Sequence, residues 1–114
     1  MANIIPFAFR GELLSGTHDF ANGGNSFKIA LYTSFAAYST SSTVYLTTNE
    51  VSASNTGYTT GGKVLAGQAV VSTGAVATVD FTDSTLTNAT FTANSAAIYN
   101  DTNSDKLCVV LDFG

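Results

Sequence analysis

Ala96-Ala97-Ile98-Tyr99-Asn100, then Asp101-Thr102-Asn103-Ser104-Asp105, then Lys106-Leu107-Cys108-Val109-Val110-Leu111-Asp112-Phe113-Gly114 read as two buried strands joined by an Asx-rich turn. The second run is rich in β-branched and aliphatic residues and has no helix-length extension. Asn, Asp and Ser between the runs bond their own backbone in turns. The pair therefore predicts an antiparallel hairpin, and a chain that closes on a sheet with few chemically able residues points to packing rather than catalysis.

Working outward, the same strand character recurs. Phe27, Ile29 and Leu31 alternate with Lys28 and Ala30, the pattern of a half-buried strand over residues 26–33. Further strands are expected over 63–66, 68–72 and 75–81, the last two joined as a hairpin at Thr73-Gly74 with Ala75, Ala77, Val79 and Phe81 toward a core. A shorter strand is expected over 89–93. Phe9-Arg10-Gly11-Glu12-Leu13-Leu14-Ser15-Gly16 suits one or two helical turns ended by Gly16, with Phe9, Leu13 and Leu14 plugging an open end of a sheet pair. No helix separates the strands, so parallel βαβ units are excluded. The expected fold is all-β: a compact antiparallel β-sandwich or barrel with a short N-terminal helix, one domain over residues 1–114 with an N-terminal arm of about residues 1–8.

Composition agrees. The 114 residues are 45% hydrophobic but only 11% charged, a sparse ionised surface that neighbours in an assembly would cover. Four scattered basic residues and a net charge of −4 argue against nucleic acid. No signal-peptide pattern or membrane-length apolar run is present, so synthesis in the cytoplasm and no membrane partner are expected. The single Cys108 reads as a small buried hydrophobe.

Residues 34–62 form a long Ser, Thr, Asn and Gly-rich segment carrying Phe35, Tyr38, Tyr45 and Tyr58, with a brief helical turn expected at Thr48-Asn49-Glu50-Val51. Its aromatic residues either pin the loop to the body or touch a partner. Candidate chemical motifs are incomplete. Gly57-Tyr58-Thr59-Thr60-Gly61-Gly62-Lys63 opens like a phosphate-binding loop but Val64 stands where Ser or Thr is needed. Ser15, His18 and Asp19 are sequence neighbours rather than a triad. Asp101, Asn103 and Asp105 begin like a calcium loop, yet Lys106 replaces the turn glycine. Asp80 and Asp83 flank a strand end, where aspartates serve turns. No cofactor or metal is expected, and no catalytic residue is assigned.

Several stretches taken in order, Phe9-Arg10-Gly11-Glu12-Leu13-Leu14-Ser15-Gly16-Thr17-His18-Asp19-Phe20, Phe27-Lys28-Ile29-Ala30-Leu31-Tyr32, Thr47-Thr48-Asn49-Glu50-Val51, Gly57-Tyr58-Thr59-Thr60-Gly61-Gly62, Val79-Asp80-Phe81, Ala97-Ile98-Tyr99-Asn100 and Val110-Leu111-Asp112-Phe113-Gly114, resemble a family of small tailed-bacteriophage virion structural proteins. The resemblance implies a non-enzymatic component of the virion: a capsid decoration or cement protein on the major capsid protein, self-associating, or else a neck, tail or fibre component. A host-glycan-binding module is the alternative from another class. Expected partner contacts are Ile4, Ile5 and Phe7 of the arm and Phe35, Tyr38 and Tyr45 of the long segment. Members of that family run on past the aspartate-phenylalanine-glycine end into a further strand and carry tryptophan near Leu86, which this chain lacks. The missing strand predicts an open edge on the last strand.

Overall fold

The computed structural model describes residues 3–34, 36–54, 56–82, 85–86 and 89–113. One helix, α1 (Phe7–Leu14), precedes six strands: β1 (Phe27–Tyr32), β2 (Lys63–Val64), β3 (Ala69–Thr73), β4 (Val76–Asp80), β5 (Ser95–Asn100) and β6 (Lys106–Asp112). They form two antiparallel sheets, a four-stranded one in the order β2-β1-β5-β6 and the two-stranded ribbon β3-β4. Neither closes into a barrel. The fold is mostly β with one short helix, as the sequence predicts. The residues around 89–93 are not a strand; Thr90 N–H reaches only the Thr56 carbonyl.

The four-stranded sheet is covered on both faces, and alternation assigns the layers. Ala30, Tyr32, Ala97, Tyr99, Leu107 and Val110 pack on one face with Tyr38 from the long segment, flanked by Ile4, Tyr45 and Leu46. Phe27 and Cys108 pack on the other with Leu65, against Phe9, Phe20, Ile29, Phe81 and Ile98. Leu107 and Val110 share a face although three residues apart, because the β5–β6 register shifts between Ile98 and Tyr99. That bulge turns Cys108 to the opposite side.

α1 follows Pro6, whose φ of −60° suits the residue that enters a helix, and the Phe7 N–H is taken by the Thr40 carbonyl. Its end is a Schellman motif: Thr17 N–H donates to Glu12 O, Gly16 N–H to Leu13 O, and Gly16 has φ +77°. The helix therefore starts two residues before the expected segment, and the arm ends at Pro6. It also lies against β6 instead of plugging a sheet end, with Leu14 92% exposed and no residue of the helix buried. Leu14 projects away because the covering contact is made by Phe9.

The expected open edge on β6 is corrected. Ile4 and Val110 exchange both backbone hydrogen bonds at 2.8 and 2.9 Å, Leu107 N–H donates to Thr43 O, and Asp112 N–H donates to Asn3 Oδ1. The arm and the long segment thus seal the outer edge, which is why Ile4 is half-buried. Gly114 lies outside the described residues.

The larger correction is the ribbon. Every residue of β3 and β4 is exposed, including those assigned to a core-facing side. The hairpin itself forms, with its loop one residue later than expected: Thr73 belongs to β3 and pairs with Val76, and Gly74 takes the first loop position at φ +60°, as a type II′ turn requires. What the alternation could not supply is a second layer over that face.

Gly62 fixes where the long segment returns to the sheet. Its φ is +86°, and a Cβ there would run into the Ile29 carbonyl. Gly62→Ala should therefore lower stability by about 2 kcal/mol or more, from a left-handed backbone plus a steric clash, measurable by urea unfolding.

Candidate functional site

Three features carry polar or apolar groups in number: a tyrosine network, a buried histidine knot, and an apolar cleft under the ribbon. The network uses all five tyrosines of the chain. Glu50 sits after a turn closed by Glu50 N–H to Thr47 O, with Asn49 at φ +63°, so the expected helical turn is a β-turn. From there its carboxylate accepts from Tyr45 Oη (2.5 Å), Tyr58 Oη (2.5 Å) and Gly61 N–H (2.8 Å). Tyr99 Oη donates to the Gly61 carbonyl, and its ring stacks on Tyr45 at 4.5 Å. Deeper in, Leu46 N–H donates to Tyr38 Oη, which lies 2.6 Å from Tyr32 Oη, and Tyr32 Oη donates to Leu46 O, closing a ring of bonds.

This assigns the aromatic residues of the long segment. Tyr38 is only 5% exposed, so no partner can reach its ring and that expectation is corrected, while the half-buried Tyr45 spends its hydroxyl on Glu50; both rings pin the loop. Desolvation beside ordered hydroxyls and a carboxylate spends their polar tips internally. Phe35 lies outside the described residues. Of the arm, Ile5 and Phe7 are 48% and 58% exposed, with the Arg10 guanidinium 5.6 Å from the Phe7 ring centre.

The phosphate-loop resemblance also dissolves here. Gly61 N–H, which a phosphate would need, is held by Glu50, and a strand follows in place of a helix. Lys63 Nζ donates to the Thr85 carbonyl.

His18 is buried where α1 ends. Asn100 Oδ1 accepts from the N–H groups of Thr102 and Asn103, so its Nδ2 is the donor to His18 Nδ1 (3.0 Å) and Asn25 Oδ1 (2.9 Å). With Nδ1 accepting, Nε2 carries the proton and donates to Glu12 Oε1 at 2.9 Å. Cys108 Sγ lies 3.8 Å from the same Nδ1. Glutamate, histidine and thiol thus stand in the order of a nucleophilic triad, which sequence spacing gave no means to find. The chemistry is disarmed: Asn100 uses the lone pair that would take the thiol proton, and burial, with Glu12 nearby, pushes the Cys108 thiol up to about 12. Asp19 is not part of it; its Oδ1 accepts from Ala21 N–H in a turn. The calcium-like stretch is spent likewise: Asn103 Nδ2 donates to Thr17 O, and Asp101 lies 3.7 Å from Lys28 Nζ. Asp80 Oδ1 accepts from Phe81 N–H, while Asp83 lies outside the described residues. Among the described residues no group of three or more His, Cys, Asp or Glu is placed to hold a metal ion, and no helix is long and apolar enough to cross a membrane.

The cleft lies between α1, the sheet and the ribbon. Ile5, Phe9, Phe20, Val79, Phe81, Ile98, Cys108 and Val109 line a cavity of about 190 Å³. It continues into one of about 330 Å³ where Phe9, Leu13 and Phe20 face Val70, Ala77 and Val79. Among the described residues the hydrogen bonds that anchor the ribbon lie at its foot, where Gln68 Nε2 donates to Ala21 O and Asn25 O and Thr82 N–H donates to Ala66 O. Beyond the foot Val70, Val71, Val76 and Val79 are 40–61% exposed.

The tyrosine network makes alkaline pH its weak point. Burial is the leading cause that raises Tyr32, Tyr38, Tyr58 and Tyr99 above the usual value near 10, with Glu50 adding to each. The raised groups contribute stability that is whole below pH 10 and lost as pH climbs above it, at most about 1.4 kcal/mol per pH unit for each buried ring. Unfolding monitored by tyrosinate absorbance should thus be cooperative and begin above pH 10. Glu50→Ala strips the acceptor from two hydroxyls and an amide and should cost about 3 kcal/mol at neutral pH, with proteolytic cleavage inside residues 36–54 as the readout.

Comparison with protein-family models, with curated proteins and with solved structures finds no match to the chain.

Proposed function

We propose that this chain is a non-enzymatic virion structural protein of a tailed bacteriophage, a decoration or cement protein that binds and stabilises the major capsid shell. The observation that carries the reading is the ribbon: ten strand residues, all exposed, four of them valines, beside an apolar cleft. A two-stranded ribbon is marginal in water by itself, and an exposed apolar surface of this kind marks a protein-binding site. The ordered resemblance to phage structural proteins and the sparse ionised surface support the same reading. In it, the four-stranded sheet and the ribbon are two layers of an incomplete sandwich that a neighbouring virion protein completes.

The mechanism is burial and backbone pairing. A protein that binds only the assembled lattice stabilises it by RT ln(1 + [L]/Kd), about 2.7 kcal/mol at a hundredfold excess over Kd. The contact set becomes Ile5 and Phe7 with Val71 and Val76. The glycan-binding alternative loses support, since the tyrosines it would stack on sugars are turned inward.

Cosedimentation with purified capsid shells, followed by cryo-EM of the particle, tests the reading. Saturation at hundreds of copies across the shell is expected, with Val76→Lys weakening binding at least tenfold and leaving the thermal transition unchanged. A small fixed number at one vertex would transfer the chain to the neck or tail. Absence from the particle would overturn the virion reading altogether.

A further inference from the structure

The ribbon has two edges, and they are not equivalent. Val79 of β4 lines both cavities, and Val70 of β3 lines the larger with Ala77 and Thr78, so the two strands together turn one face toward α1, and the edges differ in their charge. β4 ends in Asp80, the one ionisable residue of the ribbon. β3 is Ala-Val-Val-Ser-Thr: no charge, no proline, no bulge, and β4 as its only strand partner among the described residues. Edges of natural sheets are usually blunted by those devices.

The register fixes which backbone groups β3 leaves free. The Thr73↔Val76 pair closes a two-residue loop and is hydrogen-bonded, so by alternation Val71 and Ala69 also bond inward to β4. The N–H and C=O groups of Val70 and Ser72 therefore point out of the edge. A two-fold axis beside Val71 brings Val70 of one copy opposite Ser72 of another, and the four N–H and C=O groups on each side match.

We propose that β3 is a self-pairing edge: two copies of this chain join antiparallel about Val71, merging their ribbons into one four-stranded sheet in the order β4-β3-β3-β4. A second copy fits for two reasons. Each chain carries a net charge of −4, and this strip is a place where copies can approach without bringing ionised groups together. The strip also offers no charge with which a charged partner would pair. The area sets the strength. Fully burying a valine hides roughly 60–120 Å² at the usual 25 cal/mol/Å², so the half-exposed valines of two ribbons supply a few hundred Å². That is well below the 1,200 Å² of a stable complex, and the dimer is of the weak, concentration-dependent class. Such pairing becomes dominant where copies are held close together.

The inference does not rest on the virion reading: capsid binding and edge pairing can fail separately. In the full chain, Val71→Cys should form a disulfide-linked dimer under mild oxidation at least tenfold faster than Val76→Cys, because the two Val71 positions face each other as a non-hydrogen-bonded pair with Cα atoms about 4.5 Å apart. Cys108, 2% exposed, stays out of the reaction. Sedimentation equilibrium should show reversible dimerisation of the wild type at high micromolar concentration, abolished by Val71→Lys, with circular dichroism confirming that the variant folds. Equal cross-linking rates, faster cross-linking through Thr78→Cys on β4, a wild type that stays monomeric, or a Val71→Lys chain that still associates would each overturn the proposal.

Discussion

The carboxylate of Glu50 is the point on which the long segment between β1 and β2 depends. Two tyrosine hydroxyls and one backbone amide converge on it, and a further tyrosine holds the carbonyl of the same glycine. Without that convergence, a segment with no helix or strand among its described residues would have to cover a face of the sheet by apolar contact alone. Hydrogen bonds to an ionised acceptor are about twice as strong as neutral ones, and rings such as Tyr45 on Tyr99 hide the site from water. An irregular loop is thereby made to act as a structural layer.

The opposite face is built from different material. Phe20 stacks on Phe27 at 4.3 Å, Phe81 meets Phe27 edge-on, and His18 lies between Phe9 and the polar knot of Asn100. Asn100 is fully buried, yet both ends of its amide are satisfied, so it ties β5 to the end of α1 without leaving an orphaned group. The sheet is thus held between a hydroxyl-rich cover and an aromatic one.

Strand identity was legible in residues 27–32, 95–100 and 106–112 because alternation and β-branched runs report local geometry directly. The ribbon's existence was equally legible from Gly74 between two valine-bearing runs. Its exposure was not, since alternation shows that one face is more apolar than the other but not whether anything lies over it. Tyr38 and Tyr45 illustrate a second limit: a tyrosine in a polar loop has the same sequence signature whether its hydroxyl meets a carboxylate at home or a partner elsewhere. The bulge at Cys108, which decides which residues of β6 reach which layer, leaves no mark in composition at all.

The closure of Ile4 on Val110 sets the order in which this protein can form. Residues near the two ends of the described chain must find each other before the outer edge of the sheet is sealed, and closing so large a loop is entropically slow. Until the arm arrives, the β6 backbone around Val110 is uncovered, and only the long segment, through Thr43 and Leu107, holds that edge. A chain caught before closure therefore exposes part of the β6 edge in addition to the ribbon, which stays exposed in the finished molecule. Folding rate as well as final stability then governs how many chains aggregate before the edge is sealed.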